Sequence, residues 1–265
     1  MCGRYVIVSK ISEIEVRFQA QAAFEFPPNF NISPGTMVPV ITSDKPDEIQ
    51  LFQFGLTPFW AKKRMYFFNA RAEGDHNKEN NPDYTGAAGI ISKPSFRKPI
   101  RSQRCLIIAD AFIEGTTEEK LDKPHLVHLR ENKRPFAFAG IWDEWVDHES
   151  GEIVKSCAII TTLPNALLRA IPHHRSPVIL QKADERRWLD PDLPLSEVTN
   201  LLKPYDEGYM NAYPISKAIK NPRSNEVEIL RPVGPPIFPD TELQVDEDIE
   251  LFGMGDSRAR RRKNS

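Results

Sequence analysis

Apolar residues along the first 220 positions either alternate with polar ones or form short unbroken runs. Residues 49–54 alternate as a half-buried strand does, and residues 105–113 form the nearly continuous apolar run of a strand buried on both faces. Turn-rich segments separate such runs, as at Pro34-Gly35. The other predicted strands are residues 4–8, 37–42, 125–130, 136–142, 153–162 and 178–180.

Helices are predicted to be few and short. Ser12 stands where an N-cap is expected, and Glu15 completes a capping box for a helix that follows the first strand. Two further helices are expected at residues 165–171 and 196–203. Because strands outnumber helices, we predict an α+β fold: a curled, mostly antiparallel sheet or open barrel with peripheral helices, in a single domain.

The pattern changes near residue 230. Residues 1–230 are predicted to form the domain, and residues 231–265 a tail that is first proline-rich, then acidic, and basic at residues 258–263. An apolar island, Ile-Glu-Leu-Phe at residues 249–252, loosely resembles peptides that bind sliding clamps but lacks their leading Gln. We expect it either to pack back on the domain or to dock on a replication protein.

Composition narrows the classes of function. Among 265 residues, 40% are hydrophobic and 27% charged, which is ordinary for a soluble globular protein. No signal-peptide core and no apolar stretch long enough to span a membrane is visible, so we expect a cytoplasmic protein. The three cysteines lack C-x-x-C spacing, and we expect neither a disulfide framework nor a metal or other cofactor.

The charge balance bears on nucleic-acid binding. A formal net charge of −2 provides no general attraction to DNA, so any such binding requires a local basic face. Residues 93–104 carry five basic side chains among uncharged neighbours. That segment is either such a face or a solvated loop.

The amino terminus carries the most specific chemistry. Removal of Met1 leaves Cys2 with an α-amine and a thiol on adjacent carbons. Both groups are nucleophilic near neutral pH, and together they convert an aldehyde into an imine and then a five-membered thiazolidine ring. The alternative is that Cys2 lies in a frayed terminus without a role.

Polar side chains also interrupt or end apolar runs at internal positions. In a strand, Asn69, Arg71 and Glu73 share one face, where Arg71 either binds a phosphate or forms an ion pair with Glu73 or a neighbour. Glu114 ends the run at residues 105–113. It is either partly buried there, which would raise its pKa and suit it to proton transfer, or an ordinary surface side chain at the end of a strand.

A second polar segment follows the helix at residues 165–171. If it is extended, His173 and Arg175 face one side and His174 the other, so that only one of the two histidines enters a shared site. Thr162 lies just before the helix and Asn165 at its start, where these side chains are suited to cap it.

Taken together and in order, these segments resemble the SOS-response-associated peptidases, also called abasic-site processing proteins. The resemblance covers residues 1 to about 220. Its motifs are Met1-Cys2-Gly3-Arg4, Asn31-Ile-Ser-Pro-Gly35, Gly55-Leu-Thr-Pro-Phe-Trp60, Asn69-Ala-Arg-Ala-Glu73, the run from Arg104 to Glu114, Phe138-Ala-Gly-Ile-Trp142, Thr161-Thr162 with Asn165, and His173-His-Arg-Ser-Pro177.

The resemblance implies a DNA-damage function on single-stranded DNA that contains abasic sites. A mature amino-terminal Cys2 would form a thiazolidine DNA–protein crosslink, a lyase-like activity, with possible self-processing as a peptidase in the family name. The implied catalytic residues are Cys2, Asn69, Glu114 and His173, and the implied phosphate contacts are Arg4, Arg71, Thr162 and Arg175. Pro34 and Trp60 are further expected DNA contacts, and Trp60 either stacks on a base or packs in the core.

Two positions depart from the family pattern. A Trp commonly follows the active-site Glu, whereas Gly115 stands here, and Ser176 replaces the usual Met of the His-x-Arg-Met-Pro motif. Neither position supplies a proton-transfer group, so the departures bear on DNA contacts rather than on the reaction.

Two other functions remain compatible with the sequence. Amino-terminal-nucleophile glutamine amidotransferases also begin with Met-Cys-Gly, but from the sequence we expect no second domain that would receive ammonia. A non-catalytic single-strand DNA-binding module would bind intact and abasic strands equally. Nothing in the sequence demands more than a monomer.

Overall fold

Strands outnumber helices in the part of the chain that the computed structural model describes, which is residues 3–130 and 133–238. The strands, in chain order, are β1 (Arg4–Ile7), β2 (Gln21–Ala22), β3 (Asn29–Ile32), β4 (Met37–Thr42), β5 (Lys45–Phe54), β6 (Asn69–Arg71), β7 (Arg104–Ala109), β8 (Ala111–Thr116), β9 (Lys120–Leu129), β10 (Phe136–Val146), β11 (Ile153–Thr162), β12 (Ser176–Pro177) and β13 (Met210–Pro214). The α-helices are α1 (Ile11–Phe18), α2 (Pro99–Ser102), α3 (Ala166–Ala170), α4 (Lys182–Leu189) and α5 (Leu195–Asn200).

The larger sheet closes into a barrel. Strands β5, β4, β7, β10 and β11 pair antiparallel in that order, and β11 then pairs parallel with β5 at Ser156–Gln53 and Cys157–Phe54. Closure removes two free edges from a mostly antiparallel sheet. The predicted α+β fold is therefore confirmed, and the barrel is closed rather than open.

The smaller sheet has the strand order β13-β9-β8-β1-β3 and lies against the barrel. The chain passes between the sheets at Asp110, so the single strand predicted at residues 105–113 is wrong. The buried Asp110 carboxylate accepts hydrogen bonds from the Val8 and Ser9 backbone N–H groups, at 2.6 and 2.8 Å. These bonds hold the chain where it turns, and they place Glu114 inside β8 rather than at a strand end.

Aromatic side chains join the two sheets in one core. The Tyr5 ring meets Phe54 and Phe138 edge to face, at 5.2 and 5.8 Å between ring centres, and Phe112 contacts Phe138 in the same way. Such contacts add to the free energy gained from burying the rings. The core therefore fixes β1 and β8, which carry site residues, against the barrel.

The helices depart from the prediction in several places: α2 was not predicted, and α5 ends at Asn200 rather than at residue 203. Helix α1 begins at Ile11, and it is Glu13, not Glu15, that accepts a hydrogen bond from the Lys10 N–H at 2.9 Å. Ser12 therefore lies inside the helix rather than at its N-cap. Helix α4 was not predicted, because most of its side chains are charged, yet its Trp188 is fully buried.

The start of the predicted tail lies along β13. The Val233 N–H donates to Pro214 O and the Ile237 N–H to Ala212 O, at 2.9 and 2.8 Å, and Phe238 packs against the core. The apolar island at residues 249–252 and the basic segment at 258–263 lie outside the described residues. Within residues 3–130 and 133–238, no helix is long and apolar enough to cross a membrane.

Candidate active site

A cavity of about 430 Å³ opens where β1, the β8–β9 hairpin and the loop before β12 meet. Four of the predicted site residues line it: Arg4, Pro34, Glu114 and His173. The other described residues in its wall are Gly3, Phe68, Ile113, Gly115, Thr116, Thr117, Lys120, Leu121 and His174. Cys2 lies outside the described residues, but Gly3, to which it is bonded, belongs to this wall.

Glu114 and His173 form a buried pair in the cavity wall. The Glu114 Oε2 atom lies 3.3 Å from His173 Nε2, and His173 Nδ1 lies 2.8 Å from the carbonyl oxygen of Gly115. A carbonyl oxygen only accepts hydrogen bonds, so His173 Nδ1 carries a proton and donates. In the neutral imidazole, Nε2 then has the lone pair, and the proton between the two side chains resides on Glu114.

The pKa values agree with this assignment. Burial raises the pKa of Glu114 to about 7, and burial is also the main cause that lowers the pKa of His173 to about 3. Near neutral pH Glu114 is therefore divided between its acid and carboxylate forms beside a neutral imidazole, which suits the pair to passing a proton to and from a reactant. Of the two alternatives that the sequence left for Glu114, burial with a raised pKa is confirmed.

The backbone of the β8–β9 hairpin requires glycine at position 115. The strand register shifts between Gly115 and Thr116, and a Cβ atom at position 115 would overlap the carbonyl oxygen of Lys120. Only glycine permits this close approach of the two backbones. The hairpin tip thus folds toward the cavity, and Thr117, Lys120 and Leu121 form part of its wall.

Arg4 is held in place by Asn31 of the Asn-Ile-Ser-Pro-Gly motif. Arg4 Nη1 donates to Asn31 Oδ1 at 2.6 Å, and the buried Asn31 amide donates to the carbonyl oxygens of Asn221 and Ser224, at 2.9 and 2.8 Å. Partial burial lowers the pKa of Arg4, which nevertheless remains a cation. A guanidinium so oriented is suited to hold an anion at the cavity mouth.

Asn69 and Arg71 lie on β6, which pairs parallel with β11. Asn69 follows Phe68 of the cavity wall and donates from Nδ2 to Phe68 O at 3.0 Å. Arg71 is half-buried and donates to Asn77 O at 3.0 Å, and its charge contributes to lowering the pKa of His174. The ion pair considered between Arg71 and Glu73 is not formed.

Two predicted phosphate contacts are not on the surface. Arg175 is 1% exposed and is bound to Glu73 at 2.7 Å and to Thr161 O at 2.8 Å, while the buried Thr162 hydroxyl donates to Leu202 O at 3.3 Å. Neither side chain is placed to contact a phosphate directly. Their geometry instead fixes the segments that border the cavity.

The predicted alternation at His173–Arg175 is wrong. The chain bends at His174 rather than running straight, so the two histidine rings stack at 5.1 Å with an angle of 26° and both line the cavity. Arg175 points to the interior instead. The Ile171-Pro172 pair before the histidines is the sequence signal for this turn, since proline disfavours regular continuation.

The aromatic loop is exposed and anchored. Phe59 and Trp60 are 52% and 47% exposed, which excludes core packing for Trp60. Below them, Phe59 N–H donates to the buried Asp143 at 2.9 Å, and Trp145 Nε1 donates to Ala61 O at 2.7 Å. A loop fixed in this way presents its rings to a ligand with little loss of conformational entropy on binding.

The remaining chemical groups do not form a metal centre. Within residues 3–130 and 133–238, no cluster of three or more His, Cys, Asp or Glu side chains is placed to hold a metal ion. Cys105 and Cys157 are buried free thiols whose pKa values burial raises, so neither is a reactive nucleophile.

Comparisons with known proteins identify the family of this chain. The family model for SOS response associated peptidase (SRAP) matches residues 1–222. Abasic site processing protein YoaM of Bacillus subtilis (strain 168) is 34% identical over 241 residues, which cover 87% of this chain and 97% of YoaM. Abasic site processing protein HMCES of Gallus gallus is 25% identical over 240 residues, covering 78% of this chain and 66% of HMCES.

Solved structures share the fold. A protein from Bacteroides thetaiotaomicron superposes with a TM-score of 0.71 at 30% identity, covering 84% of this chain and 97% of that one. A phage-related protein from Bordetella bronchiseptica gives 0.61 at 23% identity, covering 81% and 94% respectively, and shows the fold alone. On the match of the family model and the identity to YoaM, this chain belongs to the SOS-response-associated peptidase family.

Proposed function

We propose that this protein binds abasic sites in single-stranded DNA and captures their aldehyde covalently through Cys2 after removal of Met1. The observation that carries this proposal is the Glu114–His173 pair, which shares a cavity wall with Gly3, the residue next to Cys2. The names of YoaM and HMCES, both abasic site processing proteins, support the same substrate.

The reaction requires several proton transfers and no external cofactor. The closed sugar of an abasic site first opens to an aldehyde. The Cys2 α-amine adds to this carbonyl carbon and one water leaves, which gives an imine. The thiol sulfur then bonds to the imine carbon, the nitrogen takes up a proton, and a thiazolidine ring results. Glu114 and His173 supply and accept these protons because they hold one mobile proton between them.

DNA contacts are divided between the cavity mouth and the outer surface. Arg4, with Pro34 beside it in the wall, and Arg71 are proposed to hold phosphates, which suits a lesion that offers no base to read. Phe59 and Trp60 offer exposed rings on which flanking bases stack. Asn69 is proposed to hydrogen-bond the linkage, whereas Arg175 and Thr162 position the neighbouring segments from the interior.

The proposal is tested by denaturing gel electrophoresis of the protein incubated with a single-stranded oligonucleotide that carries one abasic site. A covalent adduct is expected from the wild type and is lost in Cys2→Ala. An oligonucleotide with a tetrahydrofuran site, which has no aldehyde, is the matched control and gives no adduct. Mass spectrometry of the active protein is expected to show Cys2 as its first residue.

Other outcomes discriminate between the competing functions. An adduct that persists in Cys2→Ala contradicts the role of Cys2 and indicates a lysine imine. Equal, reversible and salt-sensitive binding to intact and abasic strands indicates a non-catalytic module. Turnover of glutamine to glutamate indicates an amidotransferase. A peptidase activity toward its own amino terminus, a monomeric state, and docking of residues 249–252 on a replication protein stay predictions.

A further inference from the structure

His174 is a titratable residue of the cavity that the proposed function does not use. It stacks on His173, and its Nδ1 atom lies 2.9 Å from the Thr117 hydroxyl oxygen at the tip of the β8–β9 hairpin. Thr117 contacts the same loop twice more, because its hydroxyl and its backbone N–H lie 2.9 and 3.0 Å from Pro172 O. The hairpin therefore holds His174 as well as His173.

The hydrogen bonds at Thr117 determine which nitrogen of His174 carries a proton. Pro172 O only accepts, so the single hydroxyl proton of Thr117 is donated to it. The hydroxyl oxygen is then the acceptor for His174, whose Nδ1 must carry a proton. In the neutral ring the lone pair is left on Nε2.

The surroundings favour the neutral ring. Burial is the main cause that lowers the pKa of His174, and the charges of Arg71 and Arg175 act in the same direction. Lys120 also lines the cavity, but its ammonium group only donates hydrogen bonds and so cannot accept a proton. The neutral His174 ring can accept one, and it lies next to the Glu114–His173 pair, which contains the acid.

We propose that His174 is a second catalytic residue, which takes the proton from the anomeric hydroxyl of the closed abasic sugar, and that Thr117 is its positioning residue. This inference rests on the proposed function. It places the acid and the base of ring opening on different side chains, Glu114 and His174, while His173 stays within 3.3 Å of the Glu114 carboxyl.

The step balances without a further reactant. The anomeric O–H proton moves to His174 Nε2 as the C1 carbonyl forms. The bond from C1 to the ring oxygen breaks, and that oxygen takes the proton of the Glu114 carboxyl to become a hydroxyl. A Glu114 carboxylate and a His174 imidazolium remain, and half-exposed His174 returns its proton through solvent.

The experiment compares two oligonucleotides, one with a natural abasic site and one with an unbranched alkyl aldehyde that cannot close into a ring. His174→Gln keeps a polar side chain but cannot take a proton. It is expected to slow crosslinking to the natural site by about tenfold or more, and to leave the rate with the alkyl aldehyde unchanged. His148→Gln, an exposed histidine on another hairpin, is the control for both substrates.

The positioning role of Thr117 has its own test. Thr117→Val removes the hydroxyl while keeping the side-chain shape, and it is expected to slow only the reaction of the natural site. Thr117→Ser restores the hydroxyl and is expected to restore that rate. A merely structural role would instead affect both substrates in Thr117→Val.

Two results would overturn the inference while leaving the crosslinking function intact. One is an unchanged rate of His174→Gln on the natural site. The other is an equal loss on both substrates, which means that His174 acts on capture or on folding rather than on ring opening. Absence of any adduct from the wild type with either oligonucleotide overturns the proposed function and this inference with it.

Discussion

Two carboxylates are buried to a similar degree, and their partners make them chemically different. Glu114 is 3% exposed and lies 3.3 Å from the imidazole of His173, while Glu73 is 5% exposed and lies 2.7 Å from the guanidinium of Arg175. Beside the neutral imidazole, burial raises the pKa of Glu114 to about 7, so this carboxyl gains or loses a proton near neutral pH, whereas a guanidinium keeps its proton. The first pair can therefore exchange a proton with a reactant, and the second is a fixed ion pair.

The position of each pair matches its chemistry. Glu114 and His173 line the cavity, whereas Glu73 and Arg175 do not. Glu73 lies two residues after β6 and Arg175 directly before β12, and both strands pair with β11. The Arg175 pair ties together the segments that carry Asn69, Arg71 and the two histidines. Removal of one pair should affect the reaction, and removal of the other should affect the fold.

The largest expected effect is that of Glu114→Gln on crosslinking. The amide keeps the shape of the side chain but holds no mobile proton, so the rate is expected to fall by about 100- to 10,000-fold. Noncovalent affinity for a tetrahydrofuran oligonucleotide should stay within about twofold, because Glu114 makes no proposed phosphate contact. Gel-based rates and fluorescence anisotropy measure the two quantities.

The matched control for Glu114→Gln is Glu118→Gln, an exposed side chain on the tip of the same hairpin, which should react as the wild type does. If Glu114→Gln crosslinks at the wild-type rate, the Glu114–His173 pair has only a structural role, as the Glu73–Arg175 pair does. The proposed chemical difference between the two pairs would then be wrong.

Arg175→Met is the corresponding change in the second pair. It leaves the Glu73 carboxylate buried without its cation, which is expected to cost about 3–5 kcal/mol of unfolding free energy. Urea unfolding checks the value. The additional change Glu73→Leu should recover much of the loss, because no charge then remains to be buried.

Lys45→Met is the control for Arg175→Met. Lys45 pairs with Glu48 at 2.7 Å, but the two side chains are 47% and 56% exposed. Such an exposed pair contributes little to the free energy of unfolding. A loss in Arg175→Met as small as that in Lys45→Met would contradict the buried, structural role of the Glu73 pair.

The pH dependence of stability sharpens the comparison further. Burial raises the pKa of Glu114 from 4.5 to about 7, so the folded state binds its proton more tightly than the unfolded state does. The stability from this group is present below pH 4.5 and is lost as the pH rises through about 7. Relative to wild type, Glu114→Gln should therefore become more stable over this range, by at most about 3 kcal/mol.

Unfolding curves of both proteins between pH 4.5 and 7.5 test this difference. Because His173 is present in both proteins, and burial lowers its folded pKa to about 3, its own contribution largely cancels in the comparison. A difference that stays constant with pH would mean that Glu114 is ionised throughout, and the acid of the proposed reaction would be lacking.

Local patterns predicted many of the elements and the Glu114 carboxyl. Short apolar runs bounded by turn residues located the barrel strands, and Asn165 caps α3 through a 3.0 Å bond from the Leu168 N–H, as its position suggested. The raised pKa of Glu114 followed from its place in an apolar run. Each of these conclusions depends on residues that are close together in the sequence.

Features set by distant contacts were not predictable in this way. Asp110 interrupts an apolar run because it accepts bonds from residues a hundred positions away, and Trp188 is buried from a helix of mostly charged residues. His174 lines the cavity and Arg175 is buried in the interior, the reverse of the prediction, because the chain bends at His174. A sequence pattern predicts whether a side chain is buried better than it predicts which distant residue that side chain contacts.

The smallest expected effect concerns Arg71, a charge that belongs to neither pair. Its guanidinium is half-buried beside Asn77 and contributes to the pKa values of both His174 and Arg175, so it lies between the two regions. Arg71→Gln is expected to weaken binding of a tetrahydrofuran oligonucleotide by about fivefold at low salt, the loss of one phosphate contact.

The salt dependence identifies the cause of that loss. For single-stranded DNA, the slope of log affinity against log salt should become shallower by about 0.7 in Arg71→Gln, and it should stay unchanged in Arg223→Gln, whose side chain is exposed at a turn. The free energy of unfolding should change by less than about 1 kcal/mol, in contrast to Arg175→Met. An unchanged slope together with a large loss of stability would place Arg71 with the structural pair, because its charge would then serve the fold rather than the DNA.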